Sequence, residues 1–317
     1  MSVPQLLPWQ SAQWKQLQAS RKAGRLAHAL MLAGPRGVGK QQFALRLSAW
    51  LLCEAKQDEP CGKCRGCVQF VAGSHPNFFV LEPEEEKRDI SIDQVREVCE
   101  KLSLTAHYGG TKVALIKPAD ALNANGVNAL LKTIEEPSLG THMLLLTDRP
   151  GLLAPTLRSR CQKLRFAVPP AQQALEWLRG QGHANAAAAL QAANGAPLRA
   201  LELLKEGLVE RYAQWQRSVE AIAAGKESPL AVAAGMDKSE ALAFVDWLIG
   251  WLTALQRKLV TGARWNELDA AAVDALTRRC LESLQRLQLA APPQLTIESI
   301  MISLVQMSRT PIKEMRA

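Results

Sequence analysis

Apolar positions fall into two regimes along the chain. Up to about residue 166, short apolar runs alternate with helical spacings; beyond it, helical spacings are all that remain. His28–Ala33 is a short apolar run with a glycine-rich turn directly after it, the pattern of a strand buried on both faces. Gln41–Leu52 then carries Phe43, Leu47 and Trp50 with Leu51 at helical spacing, so this unit reads as strand, loop, helix. Asn77–Leu81, Lys112–Ile116 and His142–Thr147 repeat the strand pattern. Between them, Ile92, Val95, Val98 and Leu102 mark one helix face opened by Ser91 as N-cap, and Asn128–Glu136 reads as a helix stopped by Pro137. The alternation predicts an α/β fold, a mainly parallel sheet with helices on both faces.

Val168-Pro169-Pro170 reads as a linker. Ala171–Leu208 predicts a small helical bundle, followed by a larger helical domain that includes Glu240–Thr261, Ala270–Ala290 and Ile297–Met307. Composition agrees: 317 residues allow two or three domains, and the abundance of Ala and Leu after residue 170 favours packed helices. The expected division is 1–167, with a module at 53–67 inserted in it, then 168–208 and 209–317.

At 48% hydrophobic and 21% charged residues, the chain has the composition of an ordinary globular protein. The net charge of +8 suits a phosphate-bearing partner and is equally that of a mildly basic soluble protein. The densest charge run, Glu84-Glu85-Glu86-Lys87-Arg88-Asp89, is mixed and reads as a solvated loop. Ala241–Val260 is the most apolar stretch, but Asp246, Gln256, Arg257 and Lys258 interrupt it, so no membrane span is expected. Neither is a signal peptide. Seven cysteines, four of them clustered, fit a reducing compartment, and the cytoplasm is the expected location.

Gly34-Pro-Arg-Gly37-Val-Gly39-Lys40-Gln41 follows a strand and opens a helix, the context that a phosphate-binding P-loop requires. Glycines let backbone N–H groups face phosphate oxygens, the helix N-terminus adds a favourable dipole, and Lys40 would reach the β- and γ-phosphates. Two features are wrong for hydrolysis. Gln41 stands where a Ser or Thr hydroxyl should hold Mg²⁺, and the strand that should end in acidic residues is followed by Lys117-Pro118-Ala119-Asp120. An ammonium at the first of those positions repels the metal. Gly34, Gly37, Gly39 and Lys40 therefore read either as a turn kept for folding or as a loop that binds ATP or ADP without turnover.

Cys53, Cys61, Cys64 and Cys67 have the spacing C-x7-C-x2-C-x2-C, with Gly62 and Gly66 allowing a tight turn. Four soft ligands with no vacancy describe a closed structural zinc site; an iron–sulfur cluster and a disulfide pair are the competing readings. His75 lies nearby and reads as a turn histidine. Cys99 and Cys280 sit in helical patterns and read as small packed residues.

Pro155-Thr-Leu-Arg158-Ser159-Arg160-Cys161 follows the fourth strand. Taken alone it is a solvated helix end. In ring-forming P-loop ATPases, however, an arginine near this place reaches across to a neighbour's γ-phosphate. Four pieces together resemble the AAA+ clamp-loader family of bacterial DNA polymerase III. They are Gly24-Arg-Leu-Ala-His28-Ala-Leu, the cysteine module after the P-loop helix, Asn128-Ala-Leu-Leu-Lys-Thr-Ile-Glu-Glu-Pro137 and Thr156-Leu-Arg-Ser-Arg-Cys161.

The resemblance covers essentially the whole chain. It implies an AAA+ ATPase-like domain, a helical lid and a C-terminal collar that oligomerises. It further implies a non-hydrolysing stator that assembles with gamma/tau and delta, acting on the sliding clamp and primed DNA. By the same resemblance, Arg160 would be an arginine finger acting in trans and the four cysteines would hold structural zinc. Gly195-Ala-Pro-Leu-Arg199 is similar to a second sensor region but one residue out of register, so Arg199 reads as a surface charge of the lid. Two other functions stay open: an active AAA+ ATPase using Lys40 in cis, against which Gln41 and Lys117 speak, and a zinc-ribbon DNA-binding module. The cysteine loop lacks the aromatic and basic interleaving that the latter needs.

Overall fold

The computed structural model describes residues 3–85, 87–104, 106, 110–260, 265 and 268–309. Glu86 of the mixed charge run, Thr261, and residues 310–317 of the expected collar lie outside them. The chain divides into two compact units, Met1–Gln173 and Ala174–Ala317.

The first unit opens with helix α1 (Ser11–Lys22), which the sequence reading did not single out, and then strand β1 (Ala29–Ala33), whose five residues are all buried. Helix α2 (Lys40–Leu51) follows the glycine turn; α3 (Arg65–Val71) lies in the cysteine module; β2 (Phe78–Leu81) comes next. Helix α4 (Ile92–Ser103) starts as expected: the Ser91 side chain accepts from Gln94 N while Gln94 Oε1 accepts from Ser91 N, a reciprocal capping box. Strand β3 (Lys112–Ile116), helix α5 (Ala124–Glu135), strand β4 (Thr141–Thr147), helix α6 (Pro155–Arg160) and strand β5 (Gln162–Arg165) complete the unit.

All ladders are parallel and the strand order is β2-β3-β4-β1-β5. This is the α/β P-loop AAA+ sheet, with β1, which feeds the glycine turn, flanked on both sides. Two details differ from the sequence reading. Helix α5 begins at Ala124 rather than Asn128, because Asn123 caps it by accepting from Gly126 N at 2.9 Å. The edge strand β5 has only Leu164 turned inward, so its apolar alternation is too thin to stand out.

Among the described residues, the regular elements of the second unit are helices: α7, which starts at Ala171 and runs to Gly180, α8 (Ala186–Ala192), α9 (Pro197–Lys205), α10 (Val209–Ala223), α11 (Lys238–Val260), α12 (Ala270–Leu289) and α13 (Pro293–Arg309). One apolar core runs from Leu178 and Leu203 through Trp215, Phe244 and Leu248 to Leu276 and Leu304. Trp215, Phe244 and Trp247 pack on each other with ring centroids 5.3–5.8 Å apart, within the range of favourable aromatic contacts. Cys280 is fully buried in this core as a small packed residue, and burial pushes its thiol up to about 12. Among the described residues, no helix is long and apolar enough to cross a membrane.

Candidate functional site

The glycine turn sits at the carboxyl end of β1, where open α/β sheets bind ligands. Gly34 is forced by crowding: a Cβ there would stand 2.0 Å from the Phe166 carbonyl oxygen. Gly39 has φ +90° and leads into α2, and a side chain on it would meet Leu7 and Gln10. The segment before α1 lies over the loop, with Trp9 Nε1 donating to Val38 O at 3.0 Å and Gln10 Nε2 donating to Gly39 O at 2.9 Å.

Lys40 is only 6% exposed, and its ammonium group is saturated from within the chain. It donates to Gly34 O at 2.7 Å, Pro35 O at 2.8 Å and Asp148 Oδ1 at 2.6 Å. An ammonium has three N–H groups, so three acceptors satisfy it. Asp148, directly after β4, was missed in the sequence; its place at a strand's carboxyl end was the signal that could have found it.

The metal-binding side is equally unlike a magnesium site. Gln41 is exposed on the first turn of α2. Lys117 forms an ion pair with Glu82 at 2.7 Å, so its charge is held at the end of β3. Asp120 accepts from Thr147 Oγ1 at 2.6 Å and from Asp148 N at 3.3 Å. Burial raises the Asp120 carboxyl above its ordinary range, and the Thr147 and Asp148 hydrogen bonds only partly offset this.

Arg160 ends α6, on a helix anchored by the fully buried Leu157. Its Nε donates to Glu135 Oε1 at 2.5 Å and its Nη1 to Thr156 O at 3.2 Å, with the side chain 40% exposed. Ser159 Oγ turns back to Thr156 O at 3.1 Å, and Cys161 is buried, its thiol pushed up to about 11. The structure therefore keeps Arg160 in reach of solvent and Lys40 out of it. In the sequence Glu135 stands out only as part of the Asn128–Pro137 motif.

The four cysteine sulfurs all lie within 4.8 Å of one another, with Cys61–Cys67 at 4.0 Å and Cys53–Cys64 at 3.9 Å. Tetrahedral zinc with Zn–S near 2.3 Å puts sulfurs about 3.8 Å apart, so the donor set and spacing fit one zinc ion. A disulfide needs about 2.05 Å, and a multi-iron core needs more room between the thiolates. Backbone N–H groups of Lys63 and Cys64 bring the Cys61 thiol down to about 6, while burial raises Cys53 and Cys67. Gly66 passes so close to Leu52 that a Cβ would stand 2.4 Å from its carbonyl oxygen. The loop between α2 and the last three cysteines is tied down: Glu59 accepts from Trp14 Nε1 at 2.7 Å and pairs with Arg46 at 2.5 Å. His75 accepts from Asn77 N through Nδ1 in a turn, and burial lowers its pKa.

Arg199 departs from its sequence reading. It is not a solvated surface charge: its side chain is 21% exposed, pairs with Glu202 at 2.8 Å and donates to the Tyr212 hydroxyl at 2.7 Å. The reason is the short turn at Gly207, which brings α10 back onto α9.

Comparison with known proteins places these features in a family. A family model described as DNA polymerase III, delta subunit, matches residues 9–170. A DNA polymerase III subunit delta′ from Pseudomonas aeruginosa is 37% identical over 261 residues, covering 81% of this chain and 79% of its own. The one from Haemophilus influenzae is 34% identical over 258 residues, covering 80% and 78%. Among solved structures, a DNA polymerase III gamma-subunit-related protein from Thermotoga maritima is similar at 15% identity and TM-score 0.40, covering 93% of this chain and all of that one.

Proposed function

This chain belongs to the DNA polymerase III delta-prime family, and from that premise we propose that it is a non-hydrolysing stator of the clamp loader that completes a neighbour's ATP site. In this reading it assembles with gamma/tau and delta in the cytoplasm and helps load the sliding clamp on primed DNA during replication. One contrast carries the reading: Lys40 spends all its donors on its own chain, whereas Arg160 holds part of its guanidinium toward solvent.

Arg160 acts in trans. A guanidinium placed at a γ-phosphate stabilises the charge that spreads over its equatorial oxygens in the transition state, and its planar fork suits those oxygens better than an ammonium would. The chain's own loop lacks the other half of the chemistry. Without a hydroxyl at position 41 and with Lys117 at the end of β3, nothing there assembles a magnesium ion on bound phosphates. Gly34, Gly37, Gly39 and Lys40 remain as a structural turn.

Zinc at Cys53, Cys61, Cys64 and Cys67 is structural, closing the module against α1 and α2. The three-part division, with an ATPase-like domain at 1–167, a lid at 168–208 and an oligomerising collar at 209–317, belongs to the same proposal.

The test is phosphate release from ATP by the purified chain alone. None above background is expected; robust turnover that Lys40→Ala abolishes would make this chain an active ATPase and end the stator reading.

A further inference from the structure

We propose that Glu135 is a positioning residue for Arg160, aiming the outer edge of its guanidinium at the neighbouring ATP site; the inference rests on the trans-acting role just given. A guanidinium has five N–H groups. The chain engages the inner side of this one, through Nε to Glu135 at 2.5 Å and one Nη1 hydrogen to Thr156 O at 3.2 Å. What is left, among the described residues, is the second Nη1 hydrogen and both on Nη2. Two of them can lie side by side along the terminal Nη1–Nη2 edge, which a phosphate oxygen pair can meet.

Both ends of the Glu135–Arg160 contact are built on fixed ground. Ile134 and Leu157 are buried, so α5 and α6 each hold their registers by packing. His28 Nε2 donates to the Ile134 carbonyl oxygen at 2.8 Å, pinning the last turn of α5 beside β1. Glu135 has no local reason to be acidic. It is the last residue of α5, where the helix dipole disfavours a carboxylate and favours a cation. An ion pair this exposed also contributes little to folding stability. The contact's effect is therefore on orientation: it removes the rotamer freedom of a long side chain before the neighbour's phosphate arrives.

The experiment uses the reconstituted loader with its ATPase subunits, clamp and primed DNA, comparing wild type, Glu135→Ala, Glu135→Gln, Arg160→Ala and the Glu135→Ala/Arg160→Ala double variant. Glu135→Ala lowers kcat by about 10- to 100-fold, the cost of a misplaced catalytic group, with KM for ATP nearly unchanged because the finger acts in the transition state. Glu135→Gln keeps an acceptor for Nε and stays within about threefold of wild type. The double variant is no worse than Arg160→Ala, as expected when one residue works through the other. A Glu135→Ala loader with wild-type kcat, beside an impaired Arg160→Ala loader, overturns the positioning role and leaves the finger standing. Wild-type kcat for Arg160→Ala removes the finger and this inference together.

Discussion

Lys40 and Arg160 are two cations of one α/β unit, Lys40 at the carboxyl end of its parallel sheet and Arg160 just before β5 at the amino end, and the fold treats them in opposite ways. Lys40 is buried beneath its loop with Gly34 O, Pro35 O and Asp148 as partners; Arg160 stands on a helix end with its outer edge undonated. A cation whose donors are all used within the chain has nothing left to offer a phosphate unless one partner is displaced. The difference teaches that the two halves of a nucleotide site can be retained for different reasons. In the proposed function the loop supports the sheet and α2, while the arginine edge serves another molecule.

That comparison can be broken or sharpened at four positions. The largest effect is expected at Arg160 itself. Arg160→Lys keeps the charge but loses the fork, and the ATPase rate of the assembled complex at the site it serves should fall on the order of 10³-fold, near the contribution of an arginine finger. If lysine supports wild-type turnover, the planar edge is irrelevant and the contrast with Lys40 loses its meaning.

Next comes Lys40→Ala. It strands two carbonyl oxygens and Asp148, and should lower unfolding free energy by about 1–3 kcal/mol in denaturant titration of the isolated chain. Loader ATPase should stay within twofold.

Asp148→Ala should act in the other direction on ligands. Freeing one ammonium N–H and removing a negative charge should tighten ATP or ADP binding about tenfold, roughly 1.4 kcal/mol, measured by calorimetry. Unchanged binding would show that the ion pair does not keep phosphate out. The smallest effect belongs to Gln41→Thr: with Lys117 still at the end of β3, the restored hydroxyl should yield no measurable phosphate release.

Much of this was legible in the sequence because its physics is local. A fully apolar run before a glycine turn marks β1 and the loop, Ser91 with Gln94 marks the start of α4, and thiols two residues apart mark the cysteine module. Other parts escaped because their causes are distant in the chain. Asp148 meets Lys40 across 108 positions and Glu135 meets Arg160 across 25, and no spacing rule links either pair. Strand β5 exists because β1 offers a free edge, although its own residues are mostly exposed. Arg199 is half-buried only because Tyr212 returns over it from α10. Arg160 owed its role in the sequence reading to family resemblance, and the geometry adds the partner that holds it.

In the proposed function this chain contributes chemistry outward and none inward. Lys40→Ala and Arg160→Ala, each in an otherwise wild-type reconstituted loader with clamp and primed DNA, test it side by side. ATPase within twofold of wild type is expected for Lys40→Ala, and a severe loss, with assembly intact, for Arg160→Ala. A severe loss for Lys40→Ala beside normal turnover for Arg160→Ala would contradict it.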